Sequence, residues 1–376
     1  MKILLVGEYS RLHNSLKEGL LELGHEVVIL GFGDGFKDFP ADFKLTRKWD
    51  SGILRKIRVA IYKTCGFDIG SYLTYRQFIK NKDRFRDFDV VQLINENSFY
   101  CTPDYEIKIL KNLFANNKKS FLLTCGPDFL VTKYEFENIG KKSILMPYTA
   151  GKVSDKAFIN VLKFRTKSFK KLHDYVYENI SGIIASDIDY HIPLSENPKY
   201  LGMIPNPINT QKLKFSQKRT EKIKIFHGIN NETYYLKGSD YFEKALDIIR
   251  QRYPDKVSVK VTRSIPYTQY IKTYDDCHIL LDQAYAFDQG YNALEAMAKG
   301  KVVFTGAETE FIEFYDLDRR VAVNAVPDVD AIVSELSFLI ENPDEIDKIG
   351  KAARAFIERE HDHRKVAAKY LEMWNQ

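Results

Sequence analysis

The stretch from Asp282 to Val303 is where residue type and spacing in this 376-residue chain say most about chemistry. An apolar strand pattern ends at Asp282, a polar loop follows, and a helical pattern opens at Tyr291, so Gln289, Gly290, Tyr291 and Asn292 form a loop running into a helix N-terminus. Backbone N–H groups in a first helical turn have no partner within the helix, and together with the helix dipole they suit a phosphate. Glu295 stands one turn further in, where a carboxylate can accept hydrogen bonds from ribose hydroxyls. An acid there also simply favours the dipole, and the pattern alone leaves both roles open.

The first half of the chain offers weaker candidates. Asp128 follows an apolar run through Thr124-Cys125-Gly126-Pro127, at the strand end where α/β folds place ligands. After Gly-Pro it also reads as an ordinary turn residue. His13 and Asn14 follow the first strand pattern, Glu96 and Asn97 follow Val90–Ile94, and all four point to the same rim. A dinucleotide site would need glycines in the first turn, whereas Gly7-Glu8-Tyr9-Ser10-Arg11-Leu12-His13 puts Glu8 and Tyr9 there, a negative charge where phosphate would sit. A Walker A loop, an HExxH pair and a G-x-S-x-G elbow are absent. Asp187-Ile188-Asp189 has the letters of a metal-binding D-x-D, but it follows a strand of the first half and reads as a coincidence; no metal and no cofactor are expected.

The elements that must position these residues alternate strand and helix. Lys2–Gly7, the Leu12–Leu23 helix ended by Gly24, and His25–Gly31 open a parallel, doubly wound sheet, continued by Val90–Ile94, Ser120–Thr124 and, after a basic helix Val161–Asn179, Gly182–Ser186. Met203 to Asn209, with Pro205 and Pro207, reads as a linker, and the charged stretch 211–222 follows it. A second series then runs through Lys224–Gly228, Val257–Thr262, His278–Asp282, Lys301–Thr305 and Val321–Asn324, with helices Ser239–Tyr253 and Tyr291–Lys299. The expected architecture is α/β, two Rossmann-like αβα domains facing across a cleft. Their expected bounds are residues 1–203 and 204–360, with 361–376 as a helix returning to the first domain.

Composition narrows the function. With 44% hydrophobic and 13% aromatic residues the chain can build a large core, and a net charge of +5 argues against nucleic acid. The charge is uneven: residues 1–200 carry 31 basic and 24 acidic side chains, the remainder 25 and 27. Lys163–Lys171, interleaved with Phe164, Phe169 and Leu172, is a candidate for an anionic membrane surface. Four scattered cysteines, an opening apolar run too short for a signal peptide and the lack of any apolar stretch of membrane-spanning length point to the cytoplasm, with peripheral membrane contact as an option.

Leu294-Glu295-Ala296-Met297-Ala298-Lys299-Gly300-Lys301-Val302-Val303 resembles the E-A-M-A-x-G-x-P-V signature of the GT-B nucleotide-sugar glycosyltransferases, in particular their large retaining group, "glycosyl transferases group 1". Lys237-Gly238-Ser239, opening a helix after a strand and loop, resembles the same family's K-G-[ST] element. The resemblance implies that Glu295 holds the nucleotide ribose, that the Gly290 loop contacts donor phosphates, and that Lys237 binds the pyrophosphate. The sequence departs from the pattern at three points. Lys301 replaces a proline, Phe287 replaces the first acid of an E-x7-E pair, and the arginine usual before the lysine is missing. Asp288 is the nearest substitute for the acid, with Asp128 as a second catalytic candidate, and Arg263 the nearest for the arginine. The implied activity is metal-independent transfer of a hexosyl group, with retention, from a UDP or GDP sugar or a similar donor to a saccharide or lipid-linked glycan, as in polysaccharide synthesis. The alternatives are a non-catalytic nucleotide-sugar binder, motivated by Phe287, and an epimerase or phosphorylase of the same fold.

Overall fold

A computed structural model describes residues 1–34, 38–217, 220–265, 269–270, 273 and 275–376. Residues 218 and 219 of the charged stretch lie outside the described residues. Twelve strands are described: β1 Lys2–Val6, β2 Glu26–Gly31, β3 Phe43–Lys44, β4 Val90–Leu93, β5 Lys119–Thr124, β6 Gly182–Ala185, β7 Tyr200–Met203, β8 Ile223–Ile229, β9 Val257–Arg263, β10 Ile279–Leu281, β11 Val302–Thr305 and β12 Val323–Asn324. They form two parallel sheets, ordered β3-β2-β1-β4-β5-β6-β7 and β12-β11-β10-β8-β9. Strand order reverses between β1 and β4 in the first sheet and between β8 and β10 in the second. Those are the points where a doubly wound sheet opens a crevice at its carboxyl ends.

Buried parallel strands read as continuous apolar runs, which is why β1, β4 and β5 stand out in the sequence. Two strands escaped that reading. β3 is a two-residue edge strand, and β7 is an outer strand with a bulged register against β6, its residues only half-buried. The expected basic helix is three pieces, Asp155–Leu162, a 3₁₀ turn Lys163–Arg165 and Lys167–Asn179, because Thr166 adopts an extended conformation and caps the last piece through Phe169 N–H.

The C-terminal helix, His363–Asn375, closes the molecule by crossing to the first sheet. Trp374 is fully buried, and its indole N–H donates to Gln92 Oε1 on β4 at 2.9 Å. Gly19 on the Leu12–Glu22 helix makes this approach possible, since a Cβ there would fall 2.2 Å from the carbonyl of His363. The linker runs beside this crossing: Ile208 N–H donates to His361 O at 2.7 Å and His363 N–H to Ile208 O at 3.1 Å. A π-helical turn, Ile357–His361, makes the bend, with His361 Nδ1 bonded to Asn206 O at 2.9 Å. One apolar cluster therefore runs from Ile3, Leu5 and Leu16 through Tyr370 and Trp374 to Leu294 and Met297, joining both domains.

Trp374→Ala would open a cavity at this joint and strand Gln92, and should cost about 3–5 kcal/mol. Thermal unfolding is expected to show a midpoint lower by roughly 10 °C.

Candidate functional site

The loops after β8 and β10 flank the switch point of the second sheet, and each brings one charged group to it. Lys237 Nζ lies 2.8 Å from Asp282 Oδ1, and Asn292 Nδ2 donates to the same oxygen at 3.1 Å. Tyr270 OH in turn donates to Asn292 Oδ1 at 2.9 Å. Gly238 adopts φ 71°, and a Cβ on it would sit 2.9 Å from Ala284 Cβ, so only glycine lets the lysine loop press on the next loop this closely. Two polar atoms around Lys237, Asp282 Oδ2 and His227 Nε2, are buried without a hydrogen-bond partner. Burial pushes His227 down to about 4, so its ring is neutral at pH 7.

Gly290 caps the Tyr291–Ala298 helix with no side-chain hydrogen bond, leaving the first-turn N–H groups available to an anion. Glu295 is nearly buried one turn in. Across from it stands Arg11 of the first domain, which burial works to discharge and Tyr291, Glu18 and Glu295 hold charged. Ser10 and Arg11 both have positive φ, 51° and 75°, an arrangement non-glycine residues adopt only when held there. The sequence reading missed Arg11, although its place in the first βα turn was visible.

The other donor-side candidates separate. Tyr291 is an interdomain tie: its hydroxyl bonds Ser15 Oγ and donates to Pro207 O at 2.8 Å. Gln289 Nε2 donates to Gly306 O at 2.7 Å and fixes the loop. Arg263 pairs with Glu243 and faces the Tyr234 ring, lining a separate cavity of about 300 Å³ with Val153, Asn231 and Tyr235. It does not join Lys237.

Asp288 turns away from the switch point. Its Oδ2 accepts the Ile188 N–H at 3.0 Å, while Asp189 accepts the Phe287 N–H at 3.1 Å, so the letters of the D-x-D motif belong to an interdomain latch. Ligand atoms of Asp187, Asp189 and Asp288 lie within 4.8 Å of one another, the one such cation-sized group of His, Cys, Asp and Glu among the described residues. Phe287 lines a cavity of about 120 Å³ between the domains, with Glu135, Lys141, Asp189, Ile192 and Glu310. Glu135 Oε2 is buried there without a partner, and burial together with Asp189 pushes its carboxyl up to about 8.

The first-domain candidates are woven into buried networks. Asp128 caps the Phe129–Glu137 helix, its Oδ1 accepting Val131 N–H at 2.8 Å, and is wholly buried. Glu96 bonds His173 Nδ1 at 2.5 Å, and Asn97 donates to Cys101 O and Glu106 Oε2, both at 2.9 Å. His13 is buried, its Nδ1 2.8 Å from Gly7 O, and burial lowers it to about 4. Asn14 and His13 N–H groups donate to Glu8, whose carboxylate thus fills the anion position at the start of the first helix. Burial raises Glu8 to about 7 against those bonds.

Burial first, and then mutual repulsion, raise Asp288 and Asp187 well above ordinary carboxyls; burial raises Asp189 to about 6. Unfolded, such groups titrate near 4, so the native state holds extra protons above that pH. The stability they confer is present below about 4 and is lost as pH rises through the folded values. Asp288→Asn keeps an acceptor for Ile188 and removes a charge; it should flatten the fall in melting temperature as pH rises above about 4, read by thermal unfolding across a pH series.

Residues 221–372 match the family model described as glycosyl transferase-like. No curated protein is matched. Among solved structures the chain is similar to sucrose-phosphate synthase from Thermosynechococcus elongatus, at 13% identity and TM-score 0.63, over 100% of this chain and 99% of that one. It is also similar to Anabaena HepE in complex with UDP and glucose, at 11% identity and TM-score 0.59 over 100% and 99%. A glycosyltransferase from Rickettsia africae gives 12% identity and TM-score 0.53 over 99% and 97%. The protein therefore has the GT-B fold, and within it residues 221–372 are similar to the glycosyl transferase-like family.

Proposed function

We propose that the protein transfers a hexosyl group from a nucleoside diphosphate sugar to a hydroxyl of a saccharide or lipid-linked glycan. The observation that carries this reading is the set at the second switch point: Lys237 and Asn292 gathered on Asp282 beside the uncapped Tyr291–Ala298 helix, with Glu295 inside it. A diphosphate entering there would meet helix N–H groups and exchange Lys237 from Asp282 to itself. Glu295 would take the ribose, and Arg11 would add positive charge from across the cleft. During transfer the bond from the sugar's anomeric carbon to the diphosphate breaks, a bond to the acceptor oxygen forms, and the acceptor proton leaves with the nucleoside diphosphate. Lys237 and the helix dipole would stabilise the charge developing on that leaving group without a metal. HepE, similar in fold, is described with UDP and glucose, which favours a UDP donor as the first to try.

The missing acid is the feature that separates transfer from mere binding. Asp288 is occupied by Ile188, whereas Glu135 presents an unpartnered carboxyl oxygen in the cavity lined by Phe287. We assign Glu135 the place near the transferred sugar. A donor-binding protein without transferase activity is the second reading, favoured by Phe287 itself.

Calorimetry with UDP, GDP and ADP should find one nucleotide that binds, with affinity reduced by at least about tenfold in Lys237→Ala and Glu295→Ala, the loss of one charge-assisted hydrogen bond. Glu135→Gln should leave nucleotide affinity unchanged and lower donor turnover, followed as released nucleoside diphosphate, by about 10²-fold or more. Tight nucleotide binding with no turnover by the wild type would establish the second reading.

A further inference from the structure

The basic segment singled out for membrane contact, Lys163–Lys171, has no apolar face to offer. Phe164, Phe169 and Leu172 are buried in the first domain's core. Lys163 is tied to Asn97 at 3.1 Å, Lys170 to Asp174 and Lys171 to Asp104.

The opposite holds for the Gly52–Cys65 helix, none of whose residues is buried. Ile53 is 73% exposed, Leu54 44% and Ile57 41%. At 100° per residue these three and Ile61 line one stripe, with Lys56 and Lys63 along one flank and Arg55 on the far side. From Ser51 to Phe67 there is no acidic residue, and Arg55, Lys56 and Lys63 have no ion-pair partner among the described residues. The helix is fastened by charge instead of apolar packing: Arg58 bonds Asp68 Oδ1 at 2.6 Å and Asp50 Oδ1 at 2.8 Å, and Asp68 caps the following helix through Ser71 N–H. An exposed Phe67 extends the apolar surface to Tyr72 and then Tyr105, with ring centroids 5.7 Å and 6.2 Å apart. A helix that keeps its apolar stripe in water while holding its basic residues unpaired lacks its natural environment.

We propose that the Gly52–Cys65 helix lies flat on an anionic lipid bilayer, Ile53, Leu54 and Ile57 entering the acyl boundary and Lys56 and Lys63 on its flank meeting lipid phosphates. Charge complementarity selects this occupant. An acidic protein would answer the lysines, but a bilayer also accepts the solvent-facing stripe without needing a matching groove. The helix follows β3 and Arg47, which stacks 4.1 Å from the Tyr100 ring. Tyr100 in turn packs against Tyr9, in the loop after β1. The docked surface therefore lies beside the carboxyl-end rim of the first sheet, where a lipid-linked acceptor would approach. The docking itself does not depend on the donor site or on transferase activity.

Flotation with phosphatidylglycerol–phosphatidylcholine vesicles tests this, with pure phosphatidylcholine vesicles and high salt as controls. The wild type should float with the anionic vesicles and far less with the neutral ones or at high salt. The doubles Ile53→Glu/Ile57→Glu and Lys56→Glu/Lys63→Glu should each lose more than about tenfold in partitioning, while Lys167→Glu/Lys170→Glu floats like the wild type. Circular dichroism and melting should show all three doubles folded, since every substituted side chain is outside the core. A wild type that stays unbound, helix variants that float unchanged, or a vesicle-independent dimer abolished by the same substitutions would overturn the proposal.

Discussion

Everything at the cleft depends on how the Tyr291–Ala298 helix is held. Its first residue reaches across the domain boundary, the tyrosine hydroxyl shared between Ser15 of the first helix and the Pro207 carbonyl of the linker. That one bridge fixes the distance between the two switch points, and Asp288 and Asp189 repeat the crossing a few residues away. The returning C-terminal helix backs the arrangement with apolar packing, because Trp374 and Tyr370 belong to the same cluster as Leu294 and Met297. A loop between a strand and a helix would otherwise be the most variable part of the fold.

Charge is arranged differently at the two switch points. In the first sheet Glu8 fills the anion position at the helix start with a carboxylate of the protein's own, held by the N–H groups of His13 and Asn14. In the second, the helix N-terminus is uncapped and the nearby carboxylate of Asp282 holds Lys237 and Asn292. The first helix start is thus already occupied by a carboxyl of the protein while the second is uncapped, the contrast that supports the proposed donor side in the second domain. Burial likewise raises the carboxyls at the seam, reinforced at Asp288 by the neighbouring Asp187 and Asp189.

Legibility in the sequence follows burial. Strands β1, β4, β5, β8 and β11 announce themselves because both faces are covered, and the helix starts at Leu12, Ser239 and Tyr291 were readable from period and glycine. The edge strand β3 and the half-buried β7 carry too little apolar signal. Among site residues, Glu295 stands one turn into a helix legible from its period, while its role and the choice of Lys237 came from the resemblance to the E-A-M-A and K-G-[ST] elements. Asp288, one residue from the position of the missing acid, spends its Oδ2 on the Ile188 N–H across the domain boundary, a partner that no local pattern shows. Arg11, Glu135 and the partnership of Asp187 with Asp288 were illegible for a different reason: each depends on how two domains meet, which no local pattern encodes.

A nucleoside diphosphate bound at the second switch point would lie between the loops after β8 and β10. Hydrogen–deuterium exchange with and without the nucleotide reads it peptide by peptide. Exchange should slow in the loop from Asn230 to Gly238 and from Asp282 through Glu295, together with the Gly7–Leu12 turn across the cleft. Protection confined to the Arg263 cavity or to loops of the first domain, with those two second-domain loops unchanged, would contradict it.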